Sequence, residues 1–496
     1  MKMKCLNLRL PQIKPSKKLL VLLLTLCSLS NYAQHESLEL SEPLSHYISE
    51  LVISNGNYLV AQGGLNDSKG IVIFKSKKIV EFIKIEETQP KEDKDHPIFQ
   101  LDNELYFIRK NKVMSKKRYL MVEKISAVTG KSIEKPKLLF TNNPDRNSTI
   151  LTGDFSPSII STKNNNLVLG NYQKGTGEVI YNYFDENFKI YKTYPVKQHA
   201  FVLGSTGMPG TLYLPTTTIS PKGDIAQLSF TFEGEPSREH NGTKIYPKEN
   251  IVGLRLEIMN EEGVVFTSVF NLENFSLVDL KTSFNDENIL TITAGLIQKN
   301  YTNKKQTKFT KGIVGFFNVS FDANTLEVLQ HSMATLSDDI MQKYFNDPKK
   351  EYSMTVHNSY HMNNGSSMIL AQVYCDTNSR FAVQRLQRLF LFELTDEEEL
   401  KVVAKFDMSV SDDQTFNHTM TKNGDIHIVY NYKTFDYSTN KVYHSSISSE
   451  GSVNTNLLMS DARIDPGKCK IIGPKSFAFI LRTNNQSHLA ILDFSD

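Results

Sequence analysis

Three histidines have the spacing in this chain that comes nearest to a chemical site: His357, His361 and His418. His357 and His361 stand four apart in a stretch of alternating character that reads as a strand, and on an extended strand residues four apart face the same side. His418 holds the corresponding place in the next copy of the same pattern, so the three can converge. Neutral imidazoles brought together hold a divalent cation or relay protons near neutral pH. Asp412 and Asp413, just upstream of His418, would add oxygen ligands. The zinc signature His-x-x-x-His belongs to helices and carries a Glu general base, which is absent here, so the residues themselves assign no metal. Polar side chains lining a wet wall are the plainer account, and both readings stand.

No other stretch carries a recognisable chemistry. A Gly-x-Ser-x-Gly elbow, a Walker-type loop, a dinucleotide fingerprint and Cys-x-x-Cys are all missing, so the catalytic residues and the cofactor stay unknown. The charge runs Lys91-Glu92-Asp93-Lys94-Asp95-His96 and Glu397-Glu398-Glu399 read as solvated loops, since Lys94 would repel a cation and no Gly supplies a calcium-loop turn. The sequons at Asn147, Asn241 and Asn417 follow from an Asn-rich composition. The chain has 21 Tyr and 29 Phe but no Trp. Most of these rings fall in alternating strands, as at Tyr181, Tyr183 and Phe184, where they pack; stacking on sugars is compatible with them.

The start of the chain reads as an export signal. Lys2, Lys4, Arg9, Lys14, Lys17 and Lys18 come before any acid, and the unbroken apolar run Leu19–Leu24, resuming at Leu26 and Leu29, follows. That core is about 10 residues, against roughly 20 for a membrane-spanning helix, so residues 1–33 are expected to be removed by cleavage between Ala33 and Gln34. Cys27 as a lipid-anchored cysteine is the competing reading, disfavoured because Leu26 precedes it where a small residue is needed. Export removes six basic residues from 56, leaving 50 against 54 acids and a net charge of −4. A mildly acidic chain without basic blocks excludes a nucleic-acid partner. The remaining cysteines, Cys375 and Cys469, fall in different repeat units and are expected to be unpaired.

The rest, residues 34–496, is too long for one simple core unless it repeats, and it does repeat. An alternating strand, a turn of Asn, Asp, Gly and Lys, then a more continuously apolar strand recur. The clearest copies are Thr218-Ile219-Ser220-Pro221-Lys222-Gly223-Asp224-Ile225 and Thr419-Met420-Thr421-Lys422-Asn423-Gly424-Asp425-Ile426. Equivalent turns start at Ser54, Asp102, Lys163, Asn285, Asn363 and Gly473, which makes eight. Between them lie second hairpins with tips near Lys77, Gly130, Glu186, Glu262, Ala323, Glu397 and Glu450, so each unit holds four strands. The eighth unit ends one strand short, and a spare strand at about Leu38 to Tyr47 fits the gap. Ser337-Asp338-Asp339 followed by Ile340, Met341, Tyr344, Phe345 and Pro348 predicts one inserted helix over about 337–347.

This layout resembles β-propeller proteins, and Ala127-Val128-Thr129-Gly130-Lys131 is similar to a turn of quinoprotein-type blades. The absence of Trp sets it apart from tryptophan-aspartate, quinoprotein-docking and sialidase repeats, and it is most similar to uncharacterised secreted bacterial propellers. The resemblance implies an all-β, eight-bladed propeller of four-stranded blades, with seven blades as the alternative count, closed by the mature N-terminal strand. The expected role is an exported binding or scaffold protein of the periplasm, outer-membrane surface or exterior, holding an envelope protein or glycan. The alternative is an envelope hydrolase or lyase with His357, His361 and His418 at a channel mouth. An outer-membrane barrel is disfavoured by short strands and a mean hydropathy of −0.33.

Overall fold

One hairpin turn, used repeatedly, organises this chain. At Ser220 the amide donates to Asp224 O at 2.8 Å while Gly223 N–H returns to Ser220 O at 3.0 Å; at Thr421 the same pair of bonds runs from Thr421 to Asp425 O, 2.9 Å, and from Gly424 to Thr421 O, 3.0 Å. The geometry needs a left-handed fourth residue, and Gly223 and Gly424 supply φ of 96° and 87°. Asn288 takes that place after Asn285, with φ of 70°. Each such turn returns the chain beside itself and forces an antiparallel pair.

The computed structural model describes residues 37–494 apart from 55–58, 66–67, 76, 85–97, 102–103, 113–117, 126–132, 143–158, 162–166, 174–177, 198–199, 204–211, 214–216, 221, 241–242, 247–249, 286, 300–311, 347–349, 380–381, 409–415, 422, 434–439, 474 and 484–485. The segment expected to be an export signal, with Cys27, Ala33 and Gln34, the pair Asp412 and Asp413, the charge run at 91–96, the turn at 127–131 and Pro348 lie outside the described residues. No described helix is long and apolar enough to cross a membrane.

Among the described residues the strands form nine four-stranded sheets, of which eight are wholly antiparallel. In chain order, the first sheet runs from Tyr47–Ser54 to Lys78–Lys84 and the second from Ile98–Leu101 to Lys137–Asn142. The third runs from Ile159–Ser161 to Ile190–Lys197. The fourth joins Thr217–Ile219, Ile225–Phe232, Ile251–Asn260 and Gly263–Asn271, and the fifth runs from Phe275–Phe284 to Glu327–Thr335. Lys350–His361, Ser367–Ser379, Ala382–Leu394 and Leu400–Asp407 make the sixth. Phe416–Met420, Ile426–Lys433, Asn440–Ile447 and Val453–Ser460 make the seventh. The eighth holds Ala462–Gly473, Ser476–Thr483 and Gln486–Asp493, and its fourth strand is the N-terminal Ser37–Leu40, with Leu38 opposite Leu492.

The closing strand was expected and is present, but it is shorter than the span from Leu38 to Tyr47. Pro43 carries no N–H to continue a ladder, so regular pairing stops at Leu40; Leu44 N still reaches Ser487 O at 2.7 Å, and after bends at Ser45 and His46 the first sheet begins at Tyr47. Ser41 anchors the exit, its Oγ accepting from Leu489 N at 2.9 Å.

Consecutive sheets pack face to face around a circuit. The strand Tyr47–Ser54 meets Ile98–Leu101, which meets Ile159–Ser161; Thr217–Ile219 meets Phe275–Phe284, which meets Lys350–His361; Phe416–Met420 meets Ala462–Gly473, which returns to Tyr47–Ser54. Tyr181 Oη donating to Thr217 Oγ1 at 3.0 Å joins the third sheet to the fourth. A Tyr360–His418 hydrogen bond joins the sixth to the seventh. First strands therefore form the inner wall, while fourth strands such as Gly263–Asn271 and Val453–Ser460 are largely exposed. Apolar clusters fill the seams: Phe316, Phe390 and Phe392 between the fifth and sixth sheets, and Met362, Leu391 and Ile428 between the sixth and seventh. This radial repetition is a β-propeller.

Two insertions interrupt it. The helix α1, Asp338–Tyr344, has Ser337 as its N-cap and docks through Ile340 beside Phe345 and Phe390, as its apolar spacing implied. The ninth sheet was not anticipated. It joins Leu212–Tyr213, Ala200–Leu203, Thr243–Tyr246 and Arg238–His240, with a parallel pairing of Ala200–Leu203 to Thr243–Tyr246, so the fourth sheet is built from chain on both sides of it.

Candidate functional site

The inner wall where the fifth, sixth and seventh sheets meet carries a connected set of polar side chains, and two of the three singled-out histidines belong to it. The sixth sheet's first strand, Lys350–His361, contains a bulge: Val356 lies opposite Ala371 and Asn358 opposite Leu370, so the register shifts at His357. An extra residue shifts the alternation, so His357 and His361 do not share a face by simple counting. His357 Nε2 lies 2.8 Å from Gln372 Oε1, and Tyr374 Oη donates to the same oxygen at 3.0 Å. An amide oxygen only accepts, so His357 carries its proton on Nε2. The imidazole stands edge-on to Phe416 at 4.9 Å, 90° between planes.

His418, two residues beyond Phe416, is hydrogen-bonded through Nδ1 to Tyr360 Oη. Burial, and secondarily the neighbouring His357, bring the His418 pKa down to about 4, so it is neutral at pH 7. A neutral Nδ1 accepts, and the phenol donates. Burial pushes Tyr360 well above its ordinary value, with a hydrogen bond from Asn358 acting weakly the other way. Asn358 Oδ1 in turn accepts from Ser283 Oγ at 3.2 Å, and Ser283 lies 3.0 Å from Thr291 Oγ1. The result is a directed hydrogen-bond chain, Ser283 to Asn358 to Tyr360 to His418, running across three sheets. Tyr360, His357 and His418 each keep part of their surface accessible although protein surrounds them, the condition of a wall facing a narrow interior space.

His361 stands apart from this chain. It ends its strand at the edge where two of the sixth sheet's three hairpins turn, and its pKa is lowered by burial and raised in smaller measure by Asp396. Its Nδ1 is buried without a hydrogen-bond partner among the described residues. Among the described residues no three His, Cys, Asp or Glu side chains are grouped as a metal would require. Cys375 and Cys469 fall on the sixth and eighth sheets.

Tyr360, Asn358, Gln372 and Ser283 were missed in the sequence. Asn358 and Tyr360 alternate on the strand that also carries His357, a signal that was present; Gln372 and Ser283 come from other strands, and only packing brings them in.

The fold and this wall define the class, a β-propeller with no named functional family. Neither a protein-family model nor a curated protein sequence matches the chain. Solved structures similar to it include the WD40 domain of SCAP from fission yeast, 10% identical over 93% of this chain and 98% of that one, with a TM-score of 0.38. A polysaccharide lyase, an ulvan lyase, is 8% identical over 92% of this chain and 96% of its own, at 0.41. The β-propeller domain of the Trilobed protease from Pyrococcus furiosus is 12% identical over 73% and 97%, at 0.35. Likenesses this distant carry nothing about function, and the fold rests on the sheets described above.

Proposed function

We propose that this chain is an exported propeller of the cell envelope, its eight antiparallel sheets acting as blades, that serves as a binding or scaffold protein for a protein or glycan partner. The observation that carries this reading is the state of the wall histidines: His418 is neutral, and both it and His357 are held by neutral partners, Tyr360 and Gln372. Donors and acceptors fixed by such partners recognise a ligand's polar groups with little loss of side-chain freedom on binding. The test immobilises residues 34–496 and challenges them with envelope extract alongside His418→Gln and Tyr360→Phe variants. A protein or glycan retained by the parent chain and released by either variant supports the reading. Retention of nothing, or equal retention by all three, refutes it.

A second reading, an envelope hydrolase or lyase, is favoured by one contact. A phenol donating to a neutral imidazole places a proton donor and a proton acceptor within hydrogen-bond reach of each other. New reducing ends formed from envelope polysaccharide by the parent chain and not by Tyr360→Phe would support it.

A further inference from the structure

The seam between the sixth and seventh sheets opens outward into a groove of about 450 Å³, within the range of small-molecule sites, roughly 300–1,000 Å³. Three tyrosines share one face there for a simple reason. Tyr430 and Tyr432 are two apart on Ile426–Lys433, and the register places Tyr443 directly opposite Tyr430. Tyr430 and Tyr443 lie 5.8 Å apart at 19°, Tyr432 meets Tyr443 edge-on at 6.0 Å, and Phe406 of the sixth sheet closes the inner end 5.4 Å from Tyr430. The rim is polar. Asp407, its side chain 55% exposed, is oriented by Arg388 Nε at 3.1 Å and Lys405 Nζ at 3.6 Å, and Thr455 stands exposed across the opening.

Core filling accounts for only part of this composition. The sheet face carries Ile426 and Ile428, both fully buried, and then Tyr430, 5% exposed and part of the same apolar cluster, whereas Tyr432 and Tyr443 on that face keep accessible surface. Tyr432 and Tyr443 remain partly exposed, and each is an aromatic ring with a hydroxyl at its edge. A flat apolar surface beside an oriented carboxylate, an ammonium and a hydroxyl suits a molecule with an apolar ring face and a periphery of hydroxyls that both donate and accept.

We infer that this outer groove binds a pyranose unit of a neutral saccharide, with Tyr443 packing on the ring face, Tyr432 standing edge-on to Tyr443 as the side wall, and Asp407, Lys405 and Thr455 bonding its hydroxyls. The site is separate from the inner wall and does not rest on the function proposed for it.

The chain has no Trp, so tyrosine emission is free of indole, and the part of a fluorescence change that belongs to the groove is the part lost in its tyrosine variants. Residues 34–496 would be titrated with cellohexaose, xylohexaose, mannohexaose, maltohexaose and chitohexaose, followed by calorimetry and by tyrosine fluorescence. At least one is expected to bind with a Kd in the millimolar range or tighter. Tyr443→Ala should weaken it about tenfold or more, Tyr443→Phe should stay within about threefold, and His418→Gln should leave it unchanged. Thermal unfolding monitors the fold, and Tyr432→Ala, at a partly exposed position, carries the test if Tyr443→Ala does not fold. The inference is overturned if no saccharide of the five binds, or if the bound one is held equally by the folded alanine variants. Loss on His418→Gln with the groove variants unaffected would also overturn it, since binding would then belong to the inner wall.

Discussion

Acidification should destabilise this protein through His418, and His418→Gln should remove that part of the effect. The folded imidazole titrates near 4 and the unfolded one near its ordinary 6.5, so between those values the unfolded chain binds the proton that the folded chain resists. The stabilisation is therefore complete above pH 6.5 and declines as pH falls toward 4. Linkage with these two values puts the loss at pH 5 at about 2 kcal/mol. His418 keeps some accessible surface, which lets water and ions moderate the penalty, so we expect about 1–2 kcal/mol. Glutamine retains an oxygen to accept from Tyr360 and cannot be protonated in this range. Urea unfolding of both chains at pH 7.5 and pH 5.0, at one ionic strength, yields the double difference. His46, His331 and His361 are also lowered by burial and contribute with the same sign in both chains, so they cancel. Equal losses in parent and variant would refute the assignment, as would a His418 titration midpoint above 6 by NMR.

Other substitutions probe the scaffold. A Cβ at Gly315 would lie 2.7 Å from Thr335 Cα and 2.8 Å from Ala334 C, backbone atoms that cannot swing aside, so Gly315→Ala should lose about 1–3 kcal/mol or more in urea unfolding, and parental stability would refute the close approach. Asn431 ties the seventh sheet to the eighth by donating to Ile464 O at 3.0 Å and accepting from Ile464 N at 2.8 Å. Asn431→Leu strands both groups in a buried place and should lose about 2–4 kcal/mol in the same assay. Ser337 accepts from Ile340 N at 3.3 Å at the start of the helix, and Ser337→Ala should lose about 1 kcal/mol, read as a lower urea midpoint.

The parts of the fold legible in the sequence were those encoded locally. A turn that needs a left-handed residue advertises it with Gly or Asn, which is why Gly223, Gly424 and Asn288 could be read as hairpins. The spare N-terminal strand was legible by counting, because seven complete units and one short unit leave one partner missing. The ninth sheet leaves a partial local mark. Asn241-Gly242 between two short polar strands is a hairpin signal, and His240 does pair with Thr243, but the same dipeptide also belongs to a sequon, so the signal is ambiguous. The parallel pairing of Ala200 with Lys244 joins segments more than 40 residues apart and leaves no local mark. The bulge at His357 belongs to the same group: whether a residue is paired depends on the neighbouring strand, so strand alternation alone placed His357 and His361 on one side.

The sixth and seventh sheets carry both the inner hydrogen-bond chain and the outer tyrosine groove, and the seam between them shows how one packing surface supports both. Its middle is apolar and deeply buried, with Met362, Met368, Leu370, Leu389 and Leu391 against Ile426 and Ile428. Methionine's unbranched thioether fills irregular space, whereas the preceding seam is filled by the rigid rings of Phe316, Phe345, Phe390 and Phe392. The apolar middle secures the two sheets, so the residues at either end are released from packing and can keep polar groups partly exposed. At the inner end Tyr360 meets His418, and at the outer end Phe406 gives way to Tyr430 and Tyr443. A tyrosine at each end is consistent with this division, since its ring extends the apolar seam while its hydroxyl faces the accessible side. Single substitutions at one end, Tyr360→Phe or Tyr443→Phe, should therefore leave the other end's binding intact, because the methionine-filled core between them absorbs small shifts instead of transmitting them.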